Sequence, residues 1–271
     1  MPRTTTISAV FPTLLSVRAG IISAILLCLI CGSGCNHTPS PEKRELSEQF
    51  YNNLLIAFSA RDYALVKTGL QKIEEAGIED KRTLYLKALV ALIEKRSDDA
   101  ITALKTALVF DPEYGEAHNA LGCIYMQQKR FTEAETEFFI ACNNPGYQTP
   151  EKAYLNLGKL YQLQDKNEQA QGFYIKATAI NSDYFPPHYE LCLLYINLNK
   201  FEMAAQEVEK ARQISPKHPG IWYQIGEIEK SRQNDSAAIE AFKKVLKLQP
   251  QGDFADRATK QLNLLTKTGT Q

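Results

Sequence analysis

The chain has 271 residues, of which 44% are hydrophobic and 23% are charged, with only 14 glycines and 12 prolines. This composition is typical of a folded protein and excludes a collagen-like or fully disordered chain. The 31 basic and 31 acidic residues balance, and no basic run interleaved with aromatic residues occurs, so we expect no nucleic-acid binding.

The first 34 residues have the pattern of a secretory signal. Arg3 and Arg18 are their only charged residues, and an apolar stretch of 13 residues follows at 19–31. A membrane-spanning helix needs about 20 residues, so this stretch is too short to cross a bilayer. It fits the hydrophobic region of a signal peptide instead.

Three small residues, Gly32-Ser33-Gly34, then precede Cys35. This order resembles a bacterial lipobox, which implies that Cys35 is diacylated on its sulfur and becomes the mature N-terminus. Gly32 departs from the pattern, which usually has an aliphatic residue there. We predict a lipoprotein signal peptide at 1–34. An uncleaved anchor, or a plain signal followed by an unmodified cysteine, is the alternative.

Residues 35–46 are predicted to be the lipidated cysteine and a flexible tether, because they are polar and contain Pro39 and Pro41. Asn36 differs from the aspartate that resembles an inner-membrane retention signal. The predicted location is therefore the periplasmic face of the outer membrane, with the lipid anchor as the membrane contact.

From residue 47 onward, apolar residues recur at helical spacing. Residues 47–76 carry this periodicity without the small-residue signature of the later copies, as expected of a terminal, capping repeat. The pattern is clearest at 118–141, where two amphipathic helices are predicted. Gly122 and Ala134 are small enough for these helices to approach closely, and Tyr125 and Phe138 fill the space around them.

The pattern returns at a step of 34 residues, from Leu157 to Leu191 and from there to Ile225, and Ala88 fits the same frame upstream. Both the period and the small-residue signature are those of tetratricopeptide repeats. The predicted fold class is all-α: a tetratricopeptide repeat superhelix, or α-solenoid, of about six helix hairpins at 47–250. A capping helix and tail are predicted at 251–271.

One step is longer, with 36 residues from Leu121 to Leu157, because two residues are added in the turn-rich segment 143–151. A tolerated loop insertion is one interpretation. Together with this segment, the strings at 117–122 and 144–158 resemble the type IV pilus biogenesis and stability lipoproteins, the PilF/PilW/Tgl pilotin family. The resemblance implies an outer-membrane lipoprotein that binds a secretin subunit and promotes its localisation or multimerisation.

A partner polypeptide is expected in the trough formed by the first helix of each pair. The predicted partner-binding residues on this concave face are Asn119, Met126, Leu155, Tyr189, Leu193, Ile196 and Tyr223. Tyr189 and Tyr223 are expected to contribute most, because tyrosine offers rigid apolar area with a polar tip. Packing of Leu155 and Leu193 between repeats is an open alternative.

No catalytic set of residues is evident. The four histidines lie far apart, none at metal-ligand spacing, and no glycine-rich phosphate loop follows a strand. We therefore expect no enzyme activity, cofactor, metal or small-molecule substrate. Alternatives are a general cell-envelope adaptor that docks other envelope proteins, and the regulatory part of a glycan or peptidoglycan enzyme. Cys123 and Cys142 either pair or serve as small buried apolar side chains.

Overall fold

The computed structural model describes residues 41–268, with side chains described for 45–266. The predicted signal peptide and the predicted lipidation site at Cys35 lie outside the described residues. All regular structure from 41 to 268 is helical, which confirms the predicted fold class. The thirteen helices of this part of the chain are α1 (Pro41–Ser59), α2 (Tyr63–Glu75), α3 (Lys81–Ile93), α4 (Ser97–Phe110), α5 (Gly115–Gln127), α6 (Phe131–Asn143), α7 (Pro150–Gln162), α8 (Asn167–Ile180), α9 (Phe185–Asn197), α10 (Phe201–Ile214), α11 (Pro219–Ser231), α12 (Asp235–Leu248) and α13 (Asp253–Thr268).

The helices form six hairpins, α1–α2 through α11–α12, and from α3 onward each hairpin packs on the next along the chain. Helix α13 packs on the sixth hairpin, as predicted for a cap. Helix α1 begins at Pro41, within the segment predicted as tether, because proline has no N–H to leave unpaired at the start of a helix. None of the helices between residues 41 and 268 has the length and apolar character that a membrane crossing requires.

Every hairpin closes with the same turn. One non-glycine residue in each adopts a left-handed conformation with φ near 60°, and the next N–H bonds back to a carbonyl five residues earlier, as Arg130 N does to Tyr125 O at 2.8 Å. These left-handed residues are Arg61, Lys95, Lys129, Asp165, Asn199 and Gln233. Their spacing is 34 residues, except for 36 between Lys129 and Asp165, so the backbone repeats with the sequence period.

Small residues set the distance between the two helices of a hairpin. A Cβ atom added at Gly122 would lie 2.6 Å from the ring of Phe138, and one added at Gly226 would lie 2.5 Å from the ring of Phe242. The first hairpin reverses this arrangement, because Gly69 on the second helix faces Leu54 on the first. The terminal repeat therefore has a small residue at its crossing, on the helix where the sequence pattern did not predict it.

The buried side chains between residues 45 and 266 form three clusters. The largest runs from Leu84 on α3 to Ile228 on α11. A separate N-terminal cluster joins α1 and α2 to the opposite side of α3 through Leu86 and Val90. The third lies between the last hairpin and α13, where Leu265 is buried. Helix α3 thus divides its buried residues between two clusters.

The two added residues form a packed loop between α6 and α7. Tyr147 in this loop is only 5% exposed, and its side chain would lie 2.6 Å from a Cβ atom added at Gly115. Asn144 Oδ1 accepts a bond of 2.7 Å from Gly146 N, and Asn144 Nδ2 donates to Glu113 O. The insertion therefore serves packing between the third and fourth hairpins.

Candidate protein-binding groove

The first helices of successive hairpins contact one another directly: α5 with α7, α9 with α11, and α11 with α13. We call the surface that the first helices α3, α5, α7, α9 and α11 form together the inner groove. In stacked helix hairpins this is the concave side that extended or helical partners use.

Polar contacts bridge neighbouring first helices along the groove. Asn156 Nδ2 on α7 donates to Asn119 Oδ1 on α5 at 2.9 Å and also lies 3.3 Å from Cys123 Sγ. Lys159 Nζ on α7 lies 3.1 Å from Glu190 Oε1 on α9. One hairpin further along, the side chain of Gln224 on α11 bonds to the hydroxyl group of Tyr189 on α9. These contacts hold the helices in register, and they engage Asn119 and Tyr189 of the predicted set.

Five of the predicted partner-binding residues lie partly exposed on the groove, namely Asn119, Met126, Tyr189, Leu193 and Ile196. The other two, Leu155 and Tyr223, are each only 5% exposed. Leu155 packs between repeats in the largest cluster, which was the alternative that the sequence left open.

Helix α13 is the reason that Tyr223 is buried. The ring of Phe254 lies 6.2 Å from the ring of Tyr223, and the guanidinium group of Arg257 lies 4.3 Å above it. On its other side Tyr223 meets Phe242 at 5.6 Å. We therefore leave Leu155 and Tyr223 out of the partner-binding surface.

The groove continues further toward the N-terminus than the sequence analysis proposed. On α3, the positions equivalent to Tyr189, Leu193 and Ile196 carry the partly exposed Tyr85, Leu89 and Leu92. Burial raises the pKa of Tyr85 to about 12, and nearby Glu116 adds to this shift. The 34-residue frame from Ala88 could have identified these positions, because it already placed α3 in register.

A second feature that the sequence analysis missed is the set of rings around His218, in the loop before α11. Its ring centre lies 5.0 Å from that of Phe185, 5.7 Å from Tyr189 and 6.4 Å from Phe254. Burial lowers the pKa of His218, and its Nδ1 is buried without a hydrogen-bond partner. His218 is therefore neutral at pH 7, and its ring packs against that of Tyr189 at the C-terminal end of the groove.

Two other histidines are structural. His118 Nδ1 lies 2.6 Å from Glu137 Oε2, and His188 Nδ1 lies 2.6 Å from Glu207 Oε2, at the same place in the third and fifth hairpins. Each pair joins the two helices of one hairpin. Between residues 45 and 266, no group of three histidine, cysteine or acidic side chains is placed to hold a metal ion.

The described cysteines are all free. Cys123 and Cys142 form no disulfide bond, and both are largely buried, as is Cys192. Burial raises the pKa of Cys123 to about 11, so its thiol is protonated at pH 7. Their role is that of small apolar side chains, which was one of the two open alternatives.

Comparison with known proteins identifies the repeat and the fold. Residues 84–142 match the tetratricopeptide repeat family, as do residues 151–184 and 219–251. The curated protein NPGR2 of Arabidopsis thaliana is 26% identical over 208 residues, which are 67% of this chain. This chain spans only 28% of that relative's length.

Two solved structures are similar over almost their whole length. PilW, described as a widely conserved type IV pilus biogenesis factor, superposes with a TM-score of 0.70 at 18% identity, covering 79% of this chain and 98% of that structure. Pseudomonas aeruginosa pilF superposes with a TM-score of 0.71 at 17% identity, covering 84% and 99%. The described part of this chain is a tetratricopeptide repeat solenoid whose fold is similar to that of these proteins.

Proposed function

We propose that this chain is an outer-membrane lipoprotein scaffold of the pilotin type, which binds the type IV pilus secretin subunit in its inner groove and promotes secretin localisation or multimerisation. The observation that carries the proposal is the similarity of its repeat array to PilW and pilF over 98% and 99% of those structures. The lengthened turn around Tyr147 adds support, because the resemblance of the sequence to this family is centred there.

The groove is suited to a polypeptide partner. Met126, Leu193 and Ile196 offer partly exposed apolar area, while the polar groups of Asn119 and Tyr189 are already engaged between helices. An apolar stripe of this kind takes the apolar face of a helix or extended segment. Contacts of large apolar side chains then supply most of the affinity.

The first experiment is deletion of the gene, followed by counting of surface pili and detection of secretin multimers on a gel. We expect both to be lost and to return when the wild-type gene is restored. Normal secretin multimers in the deletion strain would refute the pilotin proposal. The general envelope adaptor would then be the remaining scaffold function.

A pair of matched variants tests the groove itself. Leu193→Glu places a charge on the inner groove, whereas Val109→Glu places one on α4, where Val109 is 81% exposed. We expect the Leu193 variant to fail to restore secretin multimers and the Val109 variant to restore them, with both proteins folded by circular dichroism. Equal restoration of secretin multimers by the two variants would show that the binding site lies outside the inner groove.

The proposed anchor is tested by metabolic labelling with palmitate. Cys35→Ala should abolish the label and release the protein from the membrane fraction, because two or more acyl chains are needed for stable anchoring. Cys28→Ala, which changes a cysteine within the apolar stretch, is the control and should keep the label. Equal labelling of the two variants would exclude Cys35 as the acylated residue.

A further inference from the structure

The sixth hairpin lacks a tyrosine that the three preceding hairpins share. The third residue after the small residue at the hairpin crossing is Tyr125, Tyr161 or Tyr195 in the third, fourth and fifth hairpins, and each of these is buried. In the sixth hairpin the crossing residue is Gly226, and the third residue after it is Glu229.

The fourth hairpin shows what this tyrosine does. The ring of Tyr161 stacks on Phe173 of its own hairpin, with 5.1 Å between ring centres, and its hydroxyl group donates to Glu135 on α6 of the preceding hairpin. The ring therefore fills the space between one hairpin and the next. The position equivalent to Glu135 on α10 is Ala205, so the step from the fifth to the sixth hairpin lacks both the ring and its acceptor.

An open recess of about 300 Å³ lies at this step, between α10 and α11. Ala205, Val208, Ile225 and Ile228 form its apolar lining. Trp222 forms one wall, and its indole Nε1 donates to Pro216 O at 2.7 Å, which fixes the ring plane. The recess therefore presents fixed apolar surface to the solvent.

The rim of the recess carries charge of both signs. Glu209 and Arg212 on α10 pair at 2.6 Å, and Glu229 and Arg232 on α11 pair at 3.1 Å, so these four charges cancel locally. Lys244 Nζ lies 5.5 Å from the centre of the Trp222 ring and forms no ion pair with any described residue. The uncompensated charge next to Trp222, which forms one wall of the recess, is thus positive.

We propose that this recess is a socket for one aromatic side chain of a protein partner, presented by a segment with an acidic residue beside it. The size of the side chain that would bind follows from the fold, because the third, fourth and fifth hairpins fill the equivalent space with a tyrosine ring. The acidic neighbour follows from Lys244. Interface hot spots are usually aromatic or other large side chains seated in apolar pockets, and charge complementarity at the rim adds selectivity. The inference rests on the proposed role as a protein-binding scaffold, whichever partner it binds.

The test uses Trp222, which is the only tryptophan of the chain. Purified full-length protein is titrated with the blocked tripeptide acetyl-Asp-Phe-Asp-amide while tryptophan fluorescence is recorded. We expect a saturable change with a Kd of roughly millimolar, the range open to so small a ligand. Acetyl-Asp-Ala-Asp-amide should bind at least about tenfold more weakly, because it lacks the ring. Acetyl-Lys-Phe-Lys-amide should also bind more weakly, with a difference that shrinks at high salt.

Two filling variants test the position of the socket. Glu229→Tyr restores the residue of the preceding hairpins, and Ala205→Met fills the recess from α10. Both should weaken binding of the phenylalanine peptide at least about tenfold while the thermal midpoint stays unchanged or rises. Glu133→Tyr is the matched control, because Glu133 also pairs with an arginine three residues away but lies at an exposed position on α6. It should bind like wild type.

The proposal is overturned if the phenylalanine and alanine peptides give the same response, or if the folded filling variants bind as wild type does. These results are independent of pilus assembly. Loss of secretin multimers in the deletion strain without peptide binding would remove the socket and leave the scaffold function. Peptide binding together with normal secretin multimers in the deletion strain would support the socket and refute the pilotin proposal.

Discussion

At the scale of single residues, the identity of one side chain at the hairpin crossing decides whether two helices can meet. Gly158 on α7 lies directly against the ring of Tyr174 on α8, which is fully buried and donates its hydroxyl hydrogen to Gln162. The ring cannot withdraw, because it is enclosed by both helices and held by that bond. A methyl group at this position has no space.

Gly158→Ala is therefore expected to destabilise the protein by about 1–3 kcal/mol through overpacking. Gly172 provides the control, because it lies on α8 where an added Cβ atom meets nothing within 4 Å. Gly172→Ala should stabilise by about 0.5–1 kcal/mol, since alanine restricts the unfolded chain and favours helix. Urea unfolding measures both changes, and a loss of equal size in the two variants would contradict the packing argument.

His118 introduces a pH dependence. Burial lowers its pKa, but the bond to Glu137 and the carbonyl of Pro112 more than offset this, so the pKa is raised above 6.5. A histidine whose pKa is raised by folding stabilises the protein in full below the unfolded pKa, and this contribution disappears as pH rises through the folded pKa.

His118→Gln should accordingly lower the thermal midpoint more at pH 6 than at pH 9, with wild type and variant compared at each pH. Glutamine keeps hydrogen-bonding capacity but carries no charge. A difference that is the same at both pH values would show that His118 contributes by packing alone.

At the scale of the helix and its turns, each of the six hairpins closes with a residue in the left-handed conformation at the equivalent position, and none of these six residues is glycine. An L-residue in this conformation costs about 1–2 kcal/mol, which glycine does not pay. The backbone therefore carries a small conformational strain at the turn of each hairpin.

Lys129→Gly should relieve one of these strains and stabilise the protein by about 0.5–1 kcal/mol, after allowing for the greater entropy of glycine in the unfolded chain. The same substitution at Lys105, exposed within α4, should cost about 1 kcal/mol. Thermal unfolding of the two variants should thus shift in opposite directions. A shift of Lys129→Gly to lower temperature would show that its side chain makes a contribution larger than the strain.

The loop between α6 and α7 depends on one side chain. Tyr147→Ala should cost about 3 kcal/mol, because it empties the space against Gly115. Gln148→Ala, at the exposed neighbouring position, should change the stability by less than about 0.5 kcal/mol. Hydrogen exchange would show whether the loss is local to α5 and α7. Unchanged exchange there would mean that the loop does not couple the two hairpins.

Most of the helices could be predicted from the sequence, because the small residues and the 34-residue step define both helices of each hairpin. The start of α1 at Pro41 could not, since residues 35–46 are polar and contain two prolines, whereas proline is tolerated at a first helical position. The groove was predicted in part. Tyr189 and Tyr223 hold the same position in their repeats. They differ in exposure because α13 covers Tyr223 and leaves Tyr189 accessible.

At the scale of the whole molecule, stability is distributed along the array, because each hairpin from α3 onward packs both within itself and against its neighbours in the chain. The last hairpin depends on α13, which covers Tyr223, Phe242 and Val245.

Removal of residues 253–271 should therefore expose the α11–α12 hairpin, increase its amide hydrogen exchange and leave α5 to α8 protected. Exchange measured by mass spectrometry on full-length and truncated protein tests this expectation. Uniform loss of protection along the array would show that the solenoid unfolds as one cooperative unit.

The division of α3 between two clusters has a mechanical consequence. Leu86 and Val90 face the small N-terminal cluster, while Leu84 and Ala88 belong to the large one. A load applied at the N-terminal end of the array meets the smaller cluster first, and the first hairpin can peel away without opening the larger one. Under tension we therefore expect the first hairpin to unfold before the rest of the array, while the inner groove beyond it stays folded.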